Sequence, residues 1–328
     1  MNILVPDEQA VVREADPGDA ILIPHTRTDP ISFHNLQGEP DAPITISNRG
    51  LVRIDAQGNW VCIWLRNCQH VKLLGNGESD TRFGFELFGS SNRGLVAGHG
   101  SSNIELAHIL VHSCDGAGIG ARTRPCEAFR RTSFVQRNTD IHHCHIRDVG
   151  TEGMYIGGSH YESDPDEPAL IGVRIWNNLI ERTGWDGIQV GSAVADVEVH
   201  SNIVCHPAVK GQKYQSSGIM VNPGTTGRWH HNTIVSGPGP GFYLQGSHVH
   251  VYQNTIVRFT KAGIRWAHGN GVVQRNTILD IDGDGIKVGS GENNRNKFIL
   301  DNRFAGISGD DVVANGATVI NYTGEMVA

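Results

Sequence analysis

Four stretches of the chain repeat one pattern of apolar and polar positions. In residues 174–191, RIWNNLIERTGWDGIQVG, an asparagine precedes an apolar pair, a polar turn follows, and Asp186-Gly187 leads into the alternating run Ile188-Gln189-Val190. The phrase returns with Asn232 and Gly241, with Asn254 and Gly263, and with Asn276 and Gly285. In every copy the asparagine stands nine residues before the glycine, and the last three copies are 22 residues apart. Alternation without helical spacing predicts short strands, and a fixed repeat of this length predicts that the strands stack as a solenoid. The expected fold is therefore all-β, a single-stranded parallel β-helix with rungs of ~22 residues.

Earlier runs fit the same scheme with less regular spacing: 20–24, 31–34, 43–47, 52–54, 62–65 and 71–74, separated by Gly, Asp and Asn. Residues 1–30 are expected to cap the N-terminal end, 31–306 to form the solenoid and 307–328 to form a C-terminal cap or tail, because a bare solenoid end exposes unpaired strand edges. The segments PGDAILI (17–23) and GEPDAPITISN (38–48), with the later NTIV…GI repeats, resemble the right-handed parallel β-helix proteins of the pectate-lyase-like superfamily. The N-terminal phrase is similar to the alginate lyase and chondroitinase B group. The resemblance implies a right-handed solenoid over about residues 17–305. It also implies carbohydrate chemistry, since that superfamily holds lyases, hydrolases, epimerases, fructotransferases and phage tailspikes.

Three insertions break the repeat, at 121–138, 158–172 and 205–217. Insertions in solenoids emerge as loops and commonly build the binding face. All three flank one strand column on consecutive rungs, which predicts the walls of a cleft. Aligning rungs on Gly116, Gly153, Gly187, Gly218, Gly241, Gly263 and Gly285 puts Asp115, Glu152 and Asp186 side by side just before the glycines. Two positions after them an outward column reads Gly118, Tyr155, Gln189, Met220, Tyr243, Arg265, Lys287. Rungs lie ~4.8 Å apart, so three stacked carboxylates repel unless a cation binds or one keeps its proton. A Ca²⁺ held by Asp115, Glu152 and Asp186 would neutralise a uronate and favour elimination. A retained proton would instead supply a general acid beside a carboxylate base or nucleophile. The bland reading of each Asp-Gly pair is a turn former, as expected for Asp284-Gly285. The inward asparagines at 178, 202, 232, 254 and 276 read as a structural amide ladder.

Proton transfer is expected of Tyr155 and Lys213, beside the acidic rungs. Substrate contacts are expected from Gln189, Trp185, Arg265, Arg122, His160, Tyr243 and Lys287, with Lys210, Arg124 and Tyr161 as further loop candidates. The formal charge of −7 argues against a nucleic-acid partner, and no run of 18 apolar residues marks a membrane span. Six cysteines without CxxC spacing are expected as small buried fillers, and most of the 17 histidines as surface or stacking residues. No basic stretch followed by an apolar one opens the chain, so no signal peptide is visible, although analogy with glycan-degrading β-helices suggests a secreted or periplasmic protein. The expected activity is a polysaccharide lyase on a uronic-acid glycan. The alternatives are a glycoside hydrolase or fructotransferase using a carboxylate pair, a C5-epimerase, and a non-catalytic tailspike-like or glycan-binding β-helix.

Overall fold

The computed structural model describes residues 1–78, 82–290 and 296–320. Its strands pair in parallel throughout and fall into three sheets that run the length of a right-handed β-helix. Sheet I has 13 strands, from Asn2–Leu4 to Thr318–Ile320; sheet II has 12, from Val11–Val12 to Val312–Val313; sheet III has 10, from Val52–Asp55 to Arg303–Ile307. Alternation within each strand sends one set of side chains into a continuous aliphatic interior and the other outward, as in Ile44–Arg49 and Phe85–Phe88. Residues 1–30 carry three strands paired into sheets I and II, and Val312–Val313 and Thr318–Ile320 pair with the rung before them. Residues 1–30 and the described residues 307–320 thus add strands to the sheets.

Two inward columns hold the rungs in register. In the first, Asn178, Asn202, Asn232, Asn254, Asn276 and Asn302 stack, each Nδ2 donating to the next Oδ1 at 2.9–3.0 Å. That same Oδ1 accepts the preceding asparagine's backbone N–H, so a turn that faces the core keeps its polar groups paired. The second is the glycine column at the entrance to sheet II. A Cβ on Gly187 would stand 2.4 Å from Val204 Cγ1 and 2.6 Å from the Gly218 carbonyl, and Gly153, Gly218, Gly241 and Gly263 are equally tight. Here sheet III presses its branched side chains against the backbone, and no larger residue fits.

Cys62, Cys68, Cys114 and Cys144 are buried fillers, whereas Cys126 is exposed. Many histidines stack on the outer face of sheet I, where His142, Trp176, His200, His230 and Tyr252 form one ring ladder.

Candidate functional site

Strand register decides which side chains share a rung on sheet II. Ile119 pairs with Met154, Met154 with Ile188 and Ile188 with Ile219. The glycine ahead of Ile119 is Gly118, and its Cβ would meet Ile146 Cγ2 at 2.4 Å, as the column requires. Gly116, chosen from sequence, sits two residues early. The expected column therefore begins Ala117, Glu152, Asp186, Ser217, and the outward column reads Gly120, Tyr155, Gln189, Met220, Tyr243, Arg265, Lys287. Asp115 leaves the acidic column. It lies exposed in the turn before it, stacked over Gly150, in a separate shallow pocket with Asp148, Arg182 and Lys210.

This shift corrects the three-carboxylate cation site. Among the described residues no three His, Cys, Asp or Glu side chains gather to hold a metal. Ca²⁺ takes roughly six to eight oxygens. Glu152 and Asp186 do not supply them, and the positive neighbour of Glu152 is Arg93. The remaining donor set does not fit the ion.

The two carboxyls that stay together are buried. Asp186 is 0% exposed; Oδ1 accepts the Ser217 backbone N–H at 2.6 Å and Oδ2 has no partner. Burial, with the nearby Glu152 charge adding to it, pushes Asp186 up to about 8, so it holds its proton at neutral pH. Burial also raises Glu152, against the opposing pull of Thr151 and the Arg93 charge.

Outward from this pair, three arginines converge. Arg93 lies across Gly120, whose missing Cβ leaves room for the guanidinium stem, and reaches to 5.6 Å from the Tyr155 ring centre. Arg122 stands 5.8 Å from the same centre and donates to the Tyr155 hydroxyl at 3.4 Å, which also shares a 2.7 Å hydrogen bond with Ser159. Arg122 is not free for a ligand: Nε and Nη2 clamp the buried Glu167 carboxylate at 3.2 and 2.7 Å. Arg93, by contrast, has a buried Nε–H with no partner.

On the N-terminal side these arginines form one wall of a cleft of about 680 Å³ along sheet II. Trp60, Trp64, Val96, His99 and Arg124 line it further, with Ser32 and Val11 on its floor. Burial, helped by Arg66 and Arg124, lowers the pKa of His99, so its imidazole stays neutral. Sequence reasoning missed Arg93, Trp60, Trp64 and His99, which precede the regular repeats.

The other expected residues fall elsewhere. Gln189 is buried beside Tyr155, and Trp185 is half-buried in the turn ahead of Asp186. Lys213 is exposed over the Tyr214 ring, 4.9 Å away, whereas Lys210 turns back and donates to the Gly150 carbonyl. His160 is exposed on its loop. Tyr243, Arg265 and Lys287 line a different pocket towards the C-terminal end, with Arg265 over Tyr243 and Lys287 paired to Asp284 at 2.7 Å.

Comparison with known proteins bears on the fold. A model of the right-handed β-helix region family matches residues 134–323. The chain belongs to that family. No curated protein matches it. Among solved structures it is similar to a GH136 lacto-N-biosidase from Eubacterium ramulus, at 14% identity and TM-score 0.59, over 93% of this chain and 61% of that one. It is also similar to a mannuronic acid specific polysaccharide family 6 lyase from human gut microbiota, at 15% identity and TM-score 0.50, over 93% and 77%. At such identities the likeness is one of fold.

Proposed function

We propose that this β-helix is a polysaccharide lyase that eliminates across the glycosidic bond of a uronic-acid glycan. The observation that carries the reading is the convergence of Arg93, Arg122 and Arg124 on a tryptophan-lined cleft beside Tyr155. Tryptophan faces stack on sugar rings, and unpaired guanidinium groups hold carboxylates. Glu167 neutralises Arg122, which leaves Arg93 and Arg124 for the substrate. Their charge would stabilise the enolate-like carboxylate that develops when the C5 proton leaves. In that step the C5–H bond breaks, its electron pair forms the C4–C5 double bond, the C4–O4 bond breaks, and O4 takes up a proton. Tyr155, oriented by Arg122 and Ser159, and the neutral His99 are the groups suited to move those protons. The Glu152 charge lies near Arg93 and favours its charged form. The solved lyase specific for mannuronic acid shows that this fold accommodates such chemistry in another protein.

A glycoside hydrolase is the second reading. It is favoured by the protonated Asp186 one rung from Glu152, a spacing of ~5 Å that suits a retaining carboxylate pair. It is disfavoured by the complete burial of Asp186, which keeps that carboxyl from an anomeric carbon. Incubation with alginate, pectate and a glycosaminoglycan separates these readings. The ultraviolet band of an unsaturated uronate supports elimination. New reducing ends without the band overturn it in favour of hydrolysis, and sugar inversion without new ends points to the epimerase.

A further inference from the structure

The outward column of sheet II should be solvent-facing, yet two of its members are sealed. Gln189 is 2% exposed and Met220 3%, whereas Tyr155 before them is half-buried and Arg265 beyond them is exposed. The insertion at 158–172 crosses the rungs of both. It leaves the solenoid at Gly158, on the Tyr155 rung. Ser159 then meets Gln189 Nε2 on the next rung at 3.5 Å, and the Tyr161 ring packs on Gly224, beyond Met220. The loop thus runs along the helix axis over two rungs.

The insertion is tied down at both ends of this crossing. Arg131, from the first insertion, stacks on Tyr161 at 3.7 Å and donates to the carbonyls of Tyr161, Asp164 and Glu167. Glu167 returns to Arg122 at the cleft wall, and its carboxylate fills the space that a Cβ on Gly158 would occupy. Five anchors on two arginines (three carbonyls, one ring and one carboxylate) make a fixed strap rather than a loose flap.

We infer that the strap is a blind end, so that the enzyme takes an acidic glycan from the N-terminal side only and acts at a chain terminus. From Tyr155 to Ser32 the sheet runs four rung steps, ~19 Å, along which the cleft of about 680 Å³ lies beyond Arg93. From Tyr155 to the sealed Gln189 there is one step, ~4.8 Å. Several sugars fit on one side of the reacting bond and a single terminal unit on the other. This rests on the glycan reading of the cleft, but on either cleavage chemistry.

The test uses the fluorescence of the intact protein, in which Trp60 and Trp64 line the groove. Oligouronates of defined length are titrated untagged, with a bulky tag on the reducing end, and with the same tag on the other end. The untagged oligomer and one tagged form are expected to bind alike, while the other tagged form loses at least tenfold in affinity. Equal binding of both tagged forms would overturn the blind end and leave the glycan reading intact. No response to any untagged oligomer would overturn both. Product sizes give a second readout. The native protein should release one small product from the first turnovers, and Arg131→Ala, which frees the strap, should shift release towards mixed lengths. Mixed lengths from the native protein from the start would contradict the inference.

Discussion

Asp186 shows how one buried side chain sets a pH dependence. Its folded-state pKa is raised from the ordinary 3.8 to about 8. Above the lower value the unfolded chain has released the proton that the folded chain still holds. The stability contribution is therefore complete below pH 3.8 and is lost progressively until pH passes about 8. Asp186→Asn should flatten that fall, and urea unfolding between pH 4 and 9 checks it; an unchanged slope would place the titration elsewhere. The amide ladder gives a second prediction. Removing the Asn254 side chain strands the Asn232 backbone N–H and the Trp229 carbonyl. Each buried unpaired group costs about 1–3 kcal/mol, so Asn254→Ala should lose about 2–5 kcal/mol in denaturant unfolding. In the glycine column, Gly187→Ala should cost about 1–3 kcal/mol through overpacking against Val204 and the Gly218 carbonyl. A Gly211→Ala control, where a Cβ meets nothing within 4 Å, should cost less, the remaining strain being its positive φ.

At the scale of strands and loops, the repeating phrase made the fold legible because stacking imposes the same inward residues on every rung. Asn178, Asn232, Asn254 and Asn276 recur for a reason that acts locally, an amide bonded to the next amide. The acidic column failed because the segment DGAGIG offers two glycines ahead of Ile119, Gly116 and Gly118. Pairing Asp115-Gly116 with Glu152-Gly153 completed a pattern of acids. The strand, however, keeps the pattern glycine then large apolar residue, which is Gly118-Ile119 beside Gly153-Met154 and Gly187-Ile188. That signal was present in the sequence. Arg93 was not readable in the same way, because its contact with Tyr155 crosses two rung steps over Gly120. Such reach depends on a neighbour lacking a side chain. It follows that Gly120→Leu should displace Arg93 and lower kcat/KM on a uronate polymer by tenfold or more, without loss of the folded circular-dichroism spectrum. Unchanged kinetics would remove Arg93 from the site.

Over the whole molecule, the β-helix sets a linear order of chemistry along sheet II. A tryptophan-lined cleft lies to the N-terminal side, arginines and Tyr155 follow, then a buried pair of rungs, and finally the separate Tyr243, Arg265 and Lys287 pocket. Long-range register puts residues as distant as Trp64 and Tyr155 on one line, while loops from two insertions close it. In the proposed lyase, guanidinium groups rather than a carboxylate-bound cation neutralise a uronate beside Tyr155. The most direct measurement is the rise of the unsaturated-uronate band on polyuronates, with and without chelator, for the native protein and for Arg93→Ala. The expected result is a band that persists in chelator and falls at least a hundredfold in rate for Arg93→Ala. A band abolished by chelator but retained by Arg93→Ala, or new reducing ends with no band at all, would contradict it.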